Sequence, residues 1–230
     1  MQRLVDSAAP GVGKEEALWA AGEASLQLTH APERGYGGPY AGWSNYRRPP
    51  EPAPQYYEQL IAQFPSSELL PYAQWRWAEA VRCQGIYRSG EQSALSPDLA
   101  EAIAAYGKVA APEPSYPWAW AQLRTGLVCY RAADYARALQ SFRAVAERMD
   151  GGAEKALGTM ATADCLARLG RGRESARWYR IALGMPDVCW GDVNVSPYFA
   201  WGPPKQYGIV YGTTKSNASR ALERFKSAEP

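Results

Sequence analysis

The stretch Trp120–Glu147, WAQLRTGLVCYRAADYARALQSFRAVAE, decides the fold. Apolar residues recur every three or four positions on either side of Ala133-Asp134-Tyr135, so it reads as two helices joined by a tight polar turn. Trp120, Leu123, Leu127 and Tyr130 share one face of the first helix, and Ala138, Phe142 and Val145 share one face of the second. The second half recurs along the chain. Ala102-Ile103-x-x-Tyr106-x-x-Val109 begins 36 residues earlier and Ser175-Ala176-x-x-Tyr179-x-x-Ala182 begins 37 residues later. Each copy places an aromatic four residues after a small residue and a further packing residue three later, and Tyr57-x-x-Leu60 is a weaker fourth copy. Sixteen residues before Phe142 and Tyr179 stand Gly126 and Ala163, small residues in the middle of a preceding helix. A period of this length with two helices per copy predicts an α-solenoid.

The same register carried upstream pairs Gly22 with Tyr57 and Ala78 with Tyr106 across longer spacings. The excess falls in inserted loops at 30–53 and 84–96. Helices are therefore expected at Lys14–Thr29, Gln55–Gln63, Ser67–Arg82, Pro97–Ala110, Trp118–Arg131, Asp134–Arg148, Ala153–Leu169, Gly172–Leu183 and Ser216–Lys226. Residues 1–183 form the repeat domain in this reading. Residues 184–230 form an aromatic-rich tail whose last helix caps the stack. No strand is expected, because β-branched runs such as Gly208-Ile209-Val210-Tyr211 are short and isolated.

Composition bounds the rest. With 230 residues, 47% apolar, the chain is long enough to bury a core, and nine Trp with fifteen Tyr weight it toward aromatics with a polar handle. The net charge of +2 excludes the electrostatic signature of a nucleic-acid binder. That charge is unevenly spread: residues 1–116 carry nine basic and thirteen acidic side chains, residues 117–183 eleven and six. No apolar run is long enough for a membrane span, and the first thirty residues lack a signal-peptide pattern. Cys83, Cys129, Cys165 and Cys189 form no CxxC pair, so the default compartment is reducing and cytoplasmic, with the periplasm or envelope the alternative if Met1 is not the native start.

The search for chemistry returns little. His30 is the only histidine, at a helix end where imidazolium complements the dipole. The segment around Gly13-Lys14 lacks the glycine, the hydroxyl residue and the preceding strand of a phosphate loop. No His/Cys/Asp group has metal spacing, so neither metal nor cofactor is expected. Glu79 and Asp164 are the pair an enzymatic reading would need.

The residues Gly126, Tyr130, Tyr135, Ala138 and Phe142 resemble the tetratricopeptide repeat, with Thr125 and Asp150 departing where Leu and Pro are usual. YYEQLIAQFPSSELLPYAQWRWAEA, with Phe64-Pro65 at its junction, is similar to repeats of bacterial envelope-assembly proteins. The resemblance covers about residues 54–183. It implies an all-α, right-handed superhelix of about four helix pairs, with the first helix of each pair lining a concave groove. It further implies a non-enzymatic interaction scaffold or accessory subunit that binds a partner polypeptide or neighbouring subunits. The groove residues expected on this register are Trp19, Trp75, Arg82, Trp120, Leu123, Leu127, Tyr130, Arg131 and Arg168. Loop contacts are expected from Tyr36, Tyr40, Trp43, Tyr46, Trp190 and Trp201. Those same loop aromatics motivate an alternative, a carbohydrate or cell-wall binding module.

Overall fold

The structure, a computed structural model, describes residues 12–30, 54–89, 97–188 and 214–227. Among them there are nine helices and no strand, in agreement with the all-α class expected from the periodicity. The chain divides into two compact units. The first comprises Met1–Glu91 with Ser96–Ala110, the second Gln92–Leu95 with Ala111–Pro230.

In the first unit α1 (Val12–His30), α2 (Gln55–Gln63), α3 (Leu70–Ser89) and α4 (Pro97–Tyr106) pack each on the next, and α1 also touches α3. Leu18, Ala21, Leu26, Tyr56, Tyr57, Leu60, Ala73 and Ala80 form one buried cluster, against which Trp19 and Trp77 lean. Helix α4 stops at Tyr106, just before Gly107, short of the expected Ala110, and both ends of α3 differ from expectation for identifiable reasons. Pro71 lacks an N–H and so fits the first turn of α3, which starts at Leu70; Ser67 stays outside, where its Oγ accepts the Leu69 N–H at 2.9 Å. At its other end α3 runs on to Ser89, through half of the expected loop, because Gln84, Ile86, Tyr87 and Arg88 tolerate a helix and Gly85 alone costs only about 1 kcal/mol.

In the second unit α5 (Tyr116–Arg131), α6 (Tyr135–Arg148), α7 (Gly152–Arg168), α8 (Gly172–Leu183) and α9 (Thr214–Ser227) again pack each on the next, with α5 also against α7 and α9 against α7. The α5–α6 and α7–α8 turns are built alike. Asp134 N–H donates to Cys129 O and Arg171 N–H to Leu166 O, both at 2.9 Å, closing the six-residue C-terminal motif of a helix. The residue just before each donor is left-handed: Gly170 at φ 74° and, without glycine's freedom, Ala133 at φ 60°. Asp134 then caps α6, its Oδ1 accepting the Arg137 N–H at 3.1 Å. The tail helix α9 buries Ala218 against Met160, Ala163, Tyr179 and Ala182.

The small residues of the repeat pattern have a physical role. A Cβ at Gly126 would lie 2.6 Å from the Phe142 ring, and one at Gly22 would lie 2.5 Å from the ring of Tyr57. Each glycine lets the aromatic of the companion helix lie against its backbone, and both rings are fully buried. That contact closes α1 onto α2 across the 30–53 insertion as tightly as it closes α5 onto α6.

Candidate functional site

Each helix pair carries a second contact beside the first. One residue after the small position of the leading helix stand Glu23, Glu79, Leu127 and Asp164; the aromatic of the following helix is Tyr57, Tyr106, Phe142 and Tyr179. Tyr57 Oη donates to Glu23 Oε1 at 2.8 Å, Tyr106 Oη to Glu79 Oε1, and Tyr179 Oη to Asp164 Oδ1 at 3.1 Å. In the remaining pair both polar partners are missing together, and buried Leu127 and Phe142 take their places. A carboxylate without a phenol, or a phenol without a carboxylate, would leave a polar group unpaired inside the joint at a cost of about 1–3 kcal/mol.

Arginines complete these joints. Arg76 Nε donates to Glu23 Oε1 at 2.6 Å, and a second bond makes the pair bidentate. Arg82, fully buried, donates from Nη2 to Glu79 Oε2 at 2.9 Å and from Nε to Tyr106 Oη at 3.1 Å. Burial pushes the Tyr57, Tyr130 and Tyr179 hydroxyls well above the usual phenol range, and the adjacent carboxylates push the same way. These phenols are donors over the ordinary pH range, as the bonds require.

The structure distributes the nine expected groove residues unevenly. Trp75, Arg82, Trp120, Leu123, Leu127 and Tyr130 are buried, where they hold helices together. Arg76 lies over the Trp75 ring at 5.0 Å. Trp120 is 1% exposed and its indole N–H donates to Glu154 Oε1 of α7 at 3.1 Å. Trp19 is partly buried, edge-on to Tyr57 at 5.9 Å. Arg131 is partly buried and Arg168 is exposed. Tyr36, Tyr40, Trp43, Tyr46, Trp190 and Trp201 lie outside the described residues, as does the side chain of His30.

What reaches solvent beside this framework is compact. Tyr130 Oη donates to Asp164 Oδ2 and accepts from Arg168 Nε at 3.2 Å. The Arg168 guanidinium lies 6.0 Å from the centroids of both the Tyr130 and Tyr135 rings, which meet each other edge-on at 5.2 Å. Leu169, the next residue, is an exposed large apolar side chain. Tyr72 and Tyr116 are the exposed aromatics among the described residues. Exposure of Tyr116 was not legible, since it opens a helix whose next turn is buried.

The catalytic inventory stays short. Glu79 and Asp164 are each committed within their own unit, to Arg82 and Tyr106 in one and to Tyr130 and Tyr179 in the other. No group of three His, Cys, Asp or Glu among the described residues could hold a metal ion. Cys129 and Cys165 are free, fully buried thiols, and burial pushes both upward, away from the thiolate that reactivity needs. No helix among the described residues is long and apolar enough to cross a membrane. Comparison with protein-family models, with curated proteins and with solved structures finds no match to this chain.

Proposed function

We propose that the chain is a tetratricopeptide-like, non-enzymatic interaction scaffold that binds a partner polypeptide at the exposed edge of its helix pairs. The observation that carries this reading is the recurrence of one joint: a small residue against a buried ring, with a carboxylate–phenol bond or its apolar replacement beside it, in both units. A chain that spends its acids and phenols on holding like helix pairs together is built to present a surface. In the second unit that surface includes Arg168, Leu169 and Tyr116. Photo-crosslinking from Leu169 and Tyr116 in the native source, followed by reconstitution of the captured polypeptide with the purified chain, tests the reading. Crosslinks to one polypeptide that also binds in purified form support it. Crosslinks to glycan, or to no macromolecule from either position, refute it.

A further inference from the structure

We infer that Arg168 is an anion-receiving site for a carboxylate of a partner polypeptide, an inference that rests on the scaffold reading and names what the partner offers. Most arginines whose contacts are defined here face an acid: Arg76, Arg82, Arg143, Arg148 and Arg171 each pair with a glutamate. Arg173, Arg177 and Arg180 are exposed on α8 and are held by nothing among the described residues. Arg168 differs from both groups. It is exposed, no carboxylate among the described residues pairs with it, and yet two aromatic rings and one hydrogen bond fix it in place.

The bond to Tyr130 uses Nε, which leaves both Nη groups uncommitted among the described residues. A guanidinium presents these as a fork that matches the two oxygens of a carboxylate, and a fork already immobilised loses little rotamer freedom on binding. Tyr130 also ties the site to Asp164, whose carboxylate accepts a hydrogen bond from the same hydroxyl. Exposed Leu169 offers the neighbouring apolar contact, so the fitting segment carries Asp or Glu beside an aliphatic or aromatic residue. The surplus of basic over acidic side chains in residues 117–183 favours the same ligand at longer range.

The test is peptide-phage selection of random dodecapeptides on the immobilised full-length chain, in parallel with Arg168→Gln. Synthetic copies of the enriched peptides are then titrated by fluorescence anisotropy. The expected result is enrichment of Asp or Glu next to Leu, Ile or Phe, with Kd raised about tenfold by Arg168→Gln. Exchange of the peptide acid for its amide should raise Kd by a similar factor, and the two losses should not add. Arg168→Lys, which keeps the charge without the fork, should fall between, and Arg177→Gln should leave Kd unchanged within about twofold. Unaltered circular dichroism and melting temperature confirm that each variant folds. Peptides enriched without acids, or bound equally by Arg168→Gln, overturn the Arg168 assignment and leave the scaffold reading standing. So does preferential loss of polyphosphate or anionic-vesicle binding in Arg168→Gln. Failure of the wild-type chain to enrich any peptide, together with crosslinks to no polypeptide, overturns the scaffold reading itself.

Discussion

Replacing Asp164 by Leu and Tyr179 by Phe, singly and together, tests whether the joint between α7 and α8 obeys the rule that Leu127 and Phe142 follow between α5 and α6. Tyr179→Phe removes one oxygen and opens no cavity. It forfeits a bond to a charged acceptor at 3.1 Å, and because Asp164 is only partly buried the low end of the range for charged bonds applies, about 1.5 kcal/mol. Asp164→Leu removes the acceptor of both Tyr130 and Tyr179, two buried hydroxyls at about 1–3 kcal/mol each, offset by relief from desolvating a carboxylate. A net loss of about 2–3 kcal/mol follows. In the double variant no Tyr179 hydroxyl remains to lose its Asp164 acceptor, so the variant's loss should fall short of the summed single losses by about 1–1.5 kcal/mol. Urea unfolding followed by circular dichroism measures the three free energies, provided that the slope m is unchanged among variants. Additivity within about 0.5 kcal/mol would refute the reasoning, since residues in one network should couple and independent ones should not.

Gly126→Ala gains about 1 kcal/mol of helix propensity but drives a Cβ to 2.6 Å from a buried ring; a net destabilisation of about 1–2 kcal/mol is expected by urea titration, relieved when Phe142→Leu is added. Ala133→Gly should stabilise by about 1 kcal/mol by removing left-handed strain, and Gly170→Ala, where nothing lies within 4 Å of the new Cβ, should cost a similar amount through strain alone; the two melting temperatures check this. Because the buried tyrosines keep their protons in the folded state above the unfolded value of about 10, the unfolded chain binds fewer protons there. Stability is therefore fully present below pH 10 and should fall as pH rises beyond it, by up to about 1.4 kcal/mol per pH unit for each such tyrosine, as read from melting temperatures across an alkaline series. Cys129 and Cys165 should resist a thiol reagent at neutral pH and react on addition of denaturant, with peptide mapping to separate them from the other two cysteines.

Helices were legible where apolar spacing and breakers agreed: Gln55–Gln63 and Gly172–Leu183 match to the residue. Contacts between Gly22 and Tyr57 and between Gly126 and Phe142 were legible too, the second from the sixteen-residue offset shared with Ala163 and Tyr179 and the first by carrying that register across an insertion. The sequence also held the acid–phenol rule, in Glu23, Glu79 and Asp164 one place after the small residue, but the pairing shows only when distant positions are brought together. The surface was less legible. Spacing of 120, 123, 127 and 130 defines a face without saying what covers it, and in α5 the residues buried run nearly all the way round, as expected of a helix with apolar side chains on every side. The register placed Arg168 among the expected groove residues, but the rings that distinguish it come from two other helices, which spacing within its own helix does not reveal.

Val188 and Thr214 lie twenty-six positions apart in sequence, yet Thr214 N–H donates to Val188 O at 2.8 Å and Val188 N–H donates to Thr214 Oγ1 at 3.1 Å. Asp187 adds a cap, its Oδ1 accepting the Lys215 N–H at the start of α9 at 2.9 Å. The knot thus made sits beside the α8–α9 packing and pins the start of α9 to the chain that leaves α8. Closure entropy grows only logarithmically, and doubling the intervening chain costs about 0.6 kcal/mol. Entropy alone therefore sets little penalty on lengthening the chain between these two pinned residues, because the clasp at its ends is made whatever the length of the loop.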